Sequence, residues 1–186
     1  MAVLKEKITY ADDDTESVKL LFRLRAPSLV AGLVLGVLLS IVTSRFEEVL
    51  SKNVSVVFFI PFIVYLADSV GTQTQNIYVR DLKTGRASFK KYIFKESALG
   101  IFLGLSFAVV IMPVILWWFQ SLSLALVVSL SVFGAVASAP LIALVVTKIL
   151  QVEHTDPAVG SGPLTTVIQD TISILIYGFI ASAILL

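Results

Sequence analysis

Five stretches of the chain stay apolar for longer than most soluble helices do, and polar clusters separate them. A bilayer core of about 30 Å takes about 20 helical residues to cross. Residues 27–43 (“PSLVAGLVLGVLLSIVT”) form the first stretch, which is short. The second begins near Val54, passes through Pro61, and runs past Asp68 into the polar segment “VGTQTQNIYVRD”. Residues 98–119 and 122–150 supply the third and fourth, with Pro140 expected to break the fourth, and residues 163–186 supply the fifth. These runs are continuous rather than alternating, which argues against a transmembrane barrel. In lipid the backbone must then satisfy itself as helices. The pattern predicts an all-α integral membrane protein with five transmembrane helices per subunit. Residues 1–26 read as a cytosolic N-terminal segment and residues 27–186 as the transmembrane domain.

Composition agrees, at 57% hydrophobic, 15% charged and a mean hydropathy of +0.94. The opening “MAVLKEKITYADDDTESVK” lacks the apolar core of a cleavable signal. The absence of cysteine excludes disulfides and thiolate metal sites. The net charge of +1 says little by itself; membrane lipid is the expected surround, and no nucleic-acid partner is expected. The placement of charge says more. Lys5, Lys7, Lys19, Arg23, Arg25, Arg80, Lys83, Arg86, Lys90, Lys91, Lys95 and Lys148 fall on one side of the predicted spans. Only Arg45 and Lys52 fall on the other, so the count is twelve against two. The asymmetry predicts a cytoplasmic N-terminus and an external C-terminus, N-in/C-out. “LWWFQSLS” then puts Trp117 and Trp118 at the external interface.

Two glycine pairs, Gly32/Gly36 and Gly100/Gly104, are spaced for close helix approach. Packing within one subunit is preferred over dimerisation as their role. The unusual positions are acidic. In the fifth span, Thr166, Asp170, Ser173 and Tyr177 share one helical face, with Val167, Ile168, Ile172, Leu175 and Ile176 opposite. In the second, Tyr65, Asp68, Thr72 and Gln75 form a similar stripe beside Gly71. An ionised carboxylate at the bilayer centre costs at least about 2.5 kcal/mol, and such residues mark functional sites by default. Lys148 ends the fourth span, and no other Lys or Arg lies inside one. Either both carboxylates are protonated or a mobile cation neutralises them. Asp, Thr, Ser, Gln, Tyr and backbone carbonyls offer only oxygen, which suits hard ions such as Mg²⁺ or Ca²⁺. Imidazole chemistry is disfavoured because the single histidine, His154, falls in a loop.

Several motifs together carry a resemblance. “RAPSL” precedes the first span and “FEEVL” follows it; “FFIPFIVYLADSVGTQTQNIYVRDLKTG”, “FKESALGIFLG” and “DPAVGSGPLTTVIQDTISILIYGF” come in order after them. Over about residues 23–186 the chain resembles the membrane domain of the MgtE family of magnesium channels and transporters. The resemblance implies an MgtE-like homodimeric five-helix bundle in a prokaryotic inner or plasma membrane, with an ion path lined mainly by the second and fifth helices. It makes Asp170 the central Mg²⁺ ligand, with Thr166 one turn earlier near the same ion; Asp68, from the polar stripe of the second span, is the further candidate metal-site carboxylate. Gly71, Thr72, Gln73, Gln75, Ser173 and Gly162 would line the path. Mg²⁺ is the expected transported ion, with Ca²⁺ or Mn²⁺ as alternatives.

The chain also departs from the family pattern. The “GGN-x-G-x-Q” element falls on Ala67, Asp68, Ser69, Gly71 and Gln73, so Ala-Asp-Ser replaces Gly-Gly-Asn and adds a carboxylate. Gly162 stands where an asparagine often precedes the proline of the fifth helix. About 26 residues precede the first span, so the cytosolic CBS sensor of many members is expected to be missing from this chain. “TESVKLLFRLRAP” reads as a short interfacial helix corresponding to their connecting helix. The acidic run Asp12, Asp13, Asp14 and Glu16 reads as a solvated linker rather than a cation site.

Two further acids suit a cytoplasmic mouth. Asp156, before Pro157, serves equally as a helix cap, and Glu96 equally as a favourable first-turn charge. A proton- or sodium-coupled divalent-cation exchanger is the mechanistic alternative, and a non-transporting scaffold subunit is the alternative from another class. No nucleophile–base pair supports an enzyme.

Overall fold

The computed structural model describes residues 14–85, 87–152 and 157–186, and the side chains of these except 151–152 and 157–161. Among the described residues every regular element is helical. They are α1 (Val18–Ser44), α2 (Glu47–Lys52), α3 (Val54–Val57), α4 (Ile60–Lys83), α5 (Phe89–Phe119), α6 (Leu122–Val152) and α7 (Pro157–Leu185). Five segments are long and apolar enough to cross a membrane: Val18–Ser44, Val54–Lys83, Phe89–Phe119, Leu122–Leu150 and Gly162–Leu185. The chain is an integral membrane protein of five spans.

The helices depart from the hydropathy reading at several points. The first helix does not start at Pro27; it starts at Val18, where the Ser17 side chain accepts from the Leu20 amide, and runs straight through Pro27. A proline removes only one backbone donor, and hydroxyls can take up freed groups in membrane helices. Pro140 likewise fails to break α6. The polar stretch before residue 98 joins α5, so Lys90, Lys91 and Lys95 are helical. Conversely, the second span is interrupted at Phe58 and Phe59 before α4 begins. Pro61 then sits in the first turn of α4, where a missing N–H costs nothing.

α6 is the centre of the bundle. It packs against α4, α5 and α7, while α1 packs chiefly on α7 and α4 also meets α7. More than half of the membrane-crossing part of α6 is buried, whereas in α1 only Gly32 is. Ala125, Val128, Val132, Ala135, Val136, Ala139 and Ala143 line α6 with no exposure. Small side chains there let backbones approach, the packing that membrane helices rely on when no hydrophobic effect separates helix from lipid. At Gly100 a Cβ would lie 2.9 Å from the Ala137 carbonyl, and at Gly104 one would lie 2.8 Å from the Phe133 carbonyl. That pair therefore serves packing inside the subunit. Gly32 meets Pro163 of α7 at a looser 3.9 Å, and Gly36 faces open space.

The two ends of the bundle differ. At one end α2 and α3 fold back on the core, burying Phe46, Val49, Val56 and Phe59. Trp117 and Trp118 stand exposed at this end, after which Gln120 closes α5 in the left-handed conformation at φ 50°. Lys52 sits there too, and its ammonium, 2.7 Å from Glu48, holds that carboxyl below its usual range through a hydrogen bond and its charge. The other end holds the α4–α5 turn and its lysines.

Candidate cation site between α4 and α7

Asp68 lies a third of the way along α4, and Thr166 and Asp170 lie one turn apart on α7. The packing of α4 on α7 brings them together. The Thr166 hydroxyl donates to Asp68 Oδ1 at 3.0 Å. Asp170 follows Thr166 by one turn on the same face of α7. Its Oδ1 is buried with no hydrogen-bond partner. Among the described residues neither carboxylate has a Lys or Arg within ion-pair distance. Two acidic side chains, one with an orphaned oxygen, thus share a contact to which no described Lys or Arg brings an ion pair. Such an oxygen costs about 1–3 kcal/mol if nothing meets it.

The remaining polar positions divide between this contact and the interior. Ser173 has no exposure and accepts from Gln169 Nε2 at 3.2 Å, while the same nitrogen reaches the Ala135 carbonyl of α6 at 3.4 Å. Tyr177 donates to the Val56 carbonyl at 2.6 Å, tying α7 to α3. Both therefore face inward packing. Gly71 is turned to α6, where a Cβ would lie 3.5 Å from the Ala139 carbonyl. Gln75 is buried, whereas Thr72, Gln73 and Tyr65 are exposed. Gly162 is half-buried and has open space where a side chain would go. Gln169 went unnoticed in the sequence because it lies off the acidic stripe. The signal for it is an amide inside a membrane-crossing run, which must find partners inside the bundle.

A second polar group lies nearer the α4–α5 turn. The Thr74 hydroxyl donates to Glu96 Oε2 at 2.8 Å, and the Tyr92 hydroxyl donates to Asp81 Oδ2 at 2.5 Å. Arg80 also holds Asp81, at 3.0 Å. Tyr78 packs its ring on Tyr92 and Phe89, and the Lys148 ammonium stands 6.0 Å over the Phe89 ring. Glu96 is thus fastened to α4 by Thr74. Asp156, His154, Asp12 and Asp13 lie outside the described residues. No group of three or more acidic or imidazole side chains gathers among the described residues, so one chain brings two carboxylates to the contact.

The chain is thus an integral membrane protein, a five-span helical bundle whose acidic contact between two spans offers only oxygen atoms. Residues 60–180 match the family model described as “Divalent cation transporter”, MgtE, and the chain belongs to that family. It is 31% identical over 173 residues to the “Magnesium transporter MgtE” of Bacillus subtilis, a match covering 91% of this chain and 38% of that protein. It is 31% identical over 161 residues to the protein of the same name from Enterococcus faecalis, covering 85% and 36%. The corresponding protein of Thermus thermophilus is 27% identical over 160 residues, covering 84% and 35%. The chain spans less than two-fifths of the length of these curated relatives. With bacterial relatives and five spans, it is a protein of the prokaryotic plasma membrane.

Proposed function

We propose that the chain moves divalent cations across the membrane, Mg²⁺ foremost, and performs no covalent chemistry. The observation that carries this reading is the buried, unpartnered oxygen of Asp170 one turn from the Thr166 hydroxyl that bonds Asp68, with no basic side chain in an ion pair with either carboxylate among the described residues. Asp170 is the principal ligand, Asp68 supplies the second charge, and Thr166 holds the Asp68 carboxylate in place. Mg²⁺ sheds water reluctantly and is often bound through one or two carboxylates with several waters retained. A site of two carboxylates suits that habit.

The path runs along α4 and α7 and is completed by a second copy of the chain. Thr72, Gln73 and Asn76 are exposed on a membrane-spanning helix of the single chain. Polar side chains in a span face the bundle interior or water rather than lipid. A two-fold axis beside α4 would bring both copies of this stripe, and both carboxylate pairs, to one channel. The lysine-rich α4–α5 end faces the cytoplasm in this reading, giving N-in/C-out.

The test is flux into liposomes. Purified protein should carry Mg²⁺ inward down its gradient, and Asp170→Ala should not. Repeating the assay with Ca²⁺, Mn²⁺ and Na⁺, with and without a proton gradient, separates passive passage from coupled exchange. Absence of any divalent flux would leave the scaffold reading.

A further inference from the structure

The α4–α5 end contains a cavity that the cation site does not use. It measures about 270 Å³ and is lined by Ile77 of α4 and by Ser88, Lys91, Tyr92, Lys95 and Glu96 of α5. Its wall therefore sets two ammonium groups against one carboxylate. That carboxylate already accepts the Thr74 hydroxyl, and the Tyr92 hydroxyl is already given to Asp81. Lys91 and Lys95 remain exposed, and among the described residues neither has an ion pair. The cavity thus keeps an uncompensated positive charge.

Lys91 and Lys95 are four residues apart, so both point from one face of α5. Continuing that face by helical spacing reaches Leu99 and Phe102, which are 46% and 69% exposed. Two free ammonium groups at the head of an uncovered apolar stripe are the complement of a phospholipid. The headgroup phosphate answers the charge and an acyl chain answers the stripe. A soluble anion would use the first feature and leave the second idle. Basic pockets between helices at a membrane surface recognise anionic headgroups in this way.

We propose that this cavity binds the headgroup of an anionic phospholipid, with Lys91 and Lys95 on the phosphate and one acyl chain along Leu99 and Phe102. The lipid would lie against both α4 and α5 beside the Thr74–Glu96 contact. This site is separate from the cation site and stands whether or not Mg²⁺ is the ion carried.

Native mass spectrometry of the delipidated full chain, titrated with dioleoyl phosphatidylglycerol or dioleoyl phosphatidylcholine, tests this. The wild type should prefer the anionic lipid by about tenfold or more, the scale expected of two basic residues beside it. Lys91→Gln with Lys95→Gln should lose the preference. Lys91→Arg with Lys95→Arg should keep it, as should Lys83→Gln, which removes an exposed lysine outside the cavity. If the glutamine pair does not purify, Phe102→Ser should cut retention of the dioleoyl lipid more than that of a short-chain phosphatidylglycerol. Equal binding of both lipids by the wild type overturns the proposal. So does an equal loss in Lys83→Gln, a preference for phosphatidylethanolamine, or full displacement by millimolar inorganic phosphate. A glutamine pair that falls apart into monomers, with lipid unaffected, would give the cavity to a second copy and also overturn it.

Discussion

Thr166 of α7 gives its hydroxyl proton to the carboxylate of Asp68 on α4 across 3.0 Å, joining residues 98 positions apart. An interhelical hydrogen bond of this kind adds about 0.6–2 kcal/mol within a membrane. It also fixes which way the Asp68 carboxylate faces. The bond orients Asp68 toward the same contact as Asp170 instead of letting it turn to lipid.

Asp68→Asn keeps the shape of that side chain and the Thr166 bond but removes the charge. Divalent flux should fall by about tenfold or lose its preference over Na⁺, because one of two attracting charges is gone. Thr166→Val should have a smaller effect in the same direction. Liposome flux with unchanged rate and ion preference in Asp68→Asn would assign that carboxylate to packing alone.

The α5–α6 seam predicts a different response. Gly104→Ala places a methyl group against the Phe133 carbonyl, where a backbone must shift, so it should cost about 1–3 kcal/mol. Gly36→Ala meets open space and should change little. Thermal unfolding in detergent checks both. A lower midpoint for Gly104→Ala alone supports packing within the subunit. Equal midpoints would contradict the tight seam.

Orientation is checked by labelling. Ala2→Cys and Leu186→Cys, each added to this cysteine-free chain, should react with a membrane-impermeant maleimide from opposite sides of the membrane. Residue 186 should label from outside in intact cells. Labelling of both positions from one side would contradict five spans with N-in/C-out.

The spans were legible in the sequence because unbroken apolar runs have few alternatives in lipid. Their ends were not. Pro27 reads as a helix start, yet its lost donor is too small a penalty to stop a helix that Ser17 has already capped. Lys90, Lys91 and Lys95 read as loop because charge masks the helical spacing beneath it. Asp68 and Asp170 stood out as acids in apolar surroundings, and the structure brings both to the α4–α7 contact. Periodicity also grouped Ser173 and Tyr177 with Asp170. A helical face is wide enough to touch two neighbours, however, and these two side chains pack inward through Gln169 and Val56. Which side of a stripe meets which helix is decided by packing at α6, through small residues such as Ala135 and Ala139. No local pattern encodes that choice.

Asp170 is the residue on which the proposed cation path depends most, and Mg²⁺ uptake into liposomes by the wild type and Asp170→Ala tests that role most directly. Asp170 lies within α7 among Val167, Thr171 and Ser173, away from the bundle ends, so its truncation should leave a protein that still inserts and purifies at the same oligomeric size. Removing the principal ligand should bring uptake down to that of empty liposomes, and Asp170→Asn should sit close to it despite its matching shape. Uptake by Asp170→Ala at the wild-type rate would contradict the assignment.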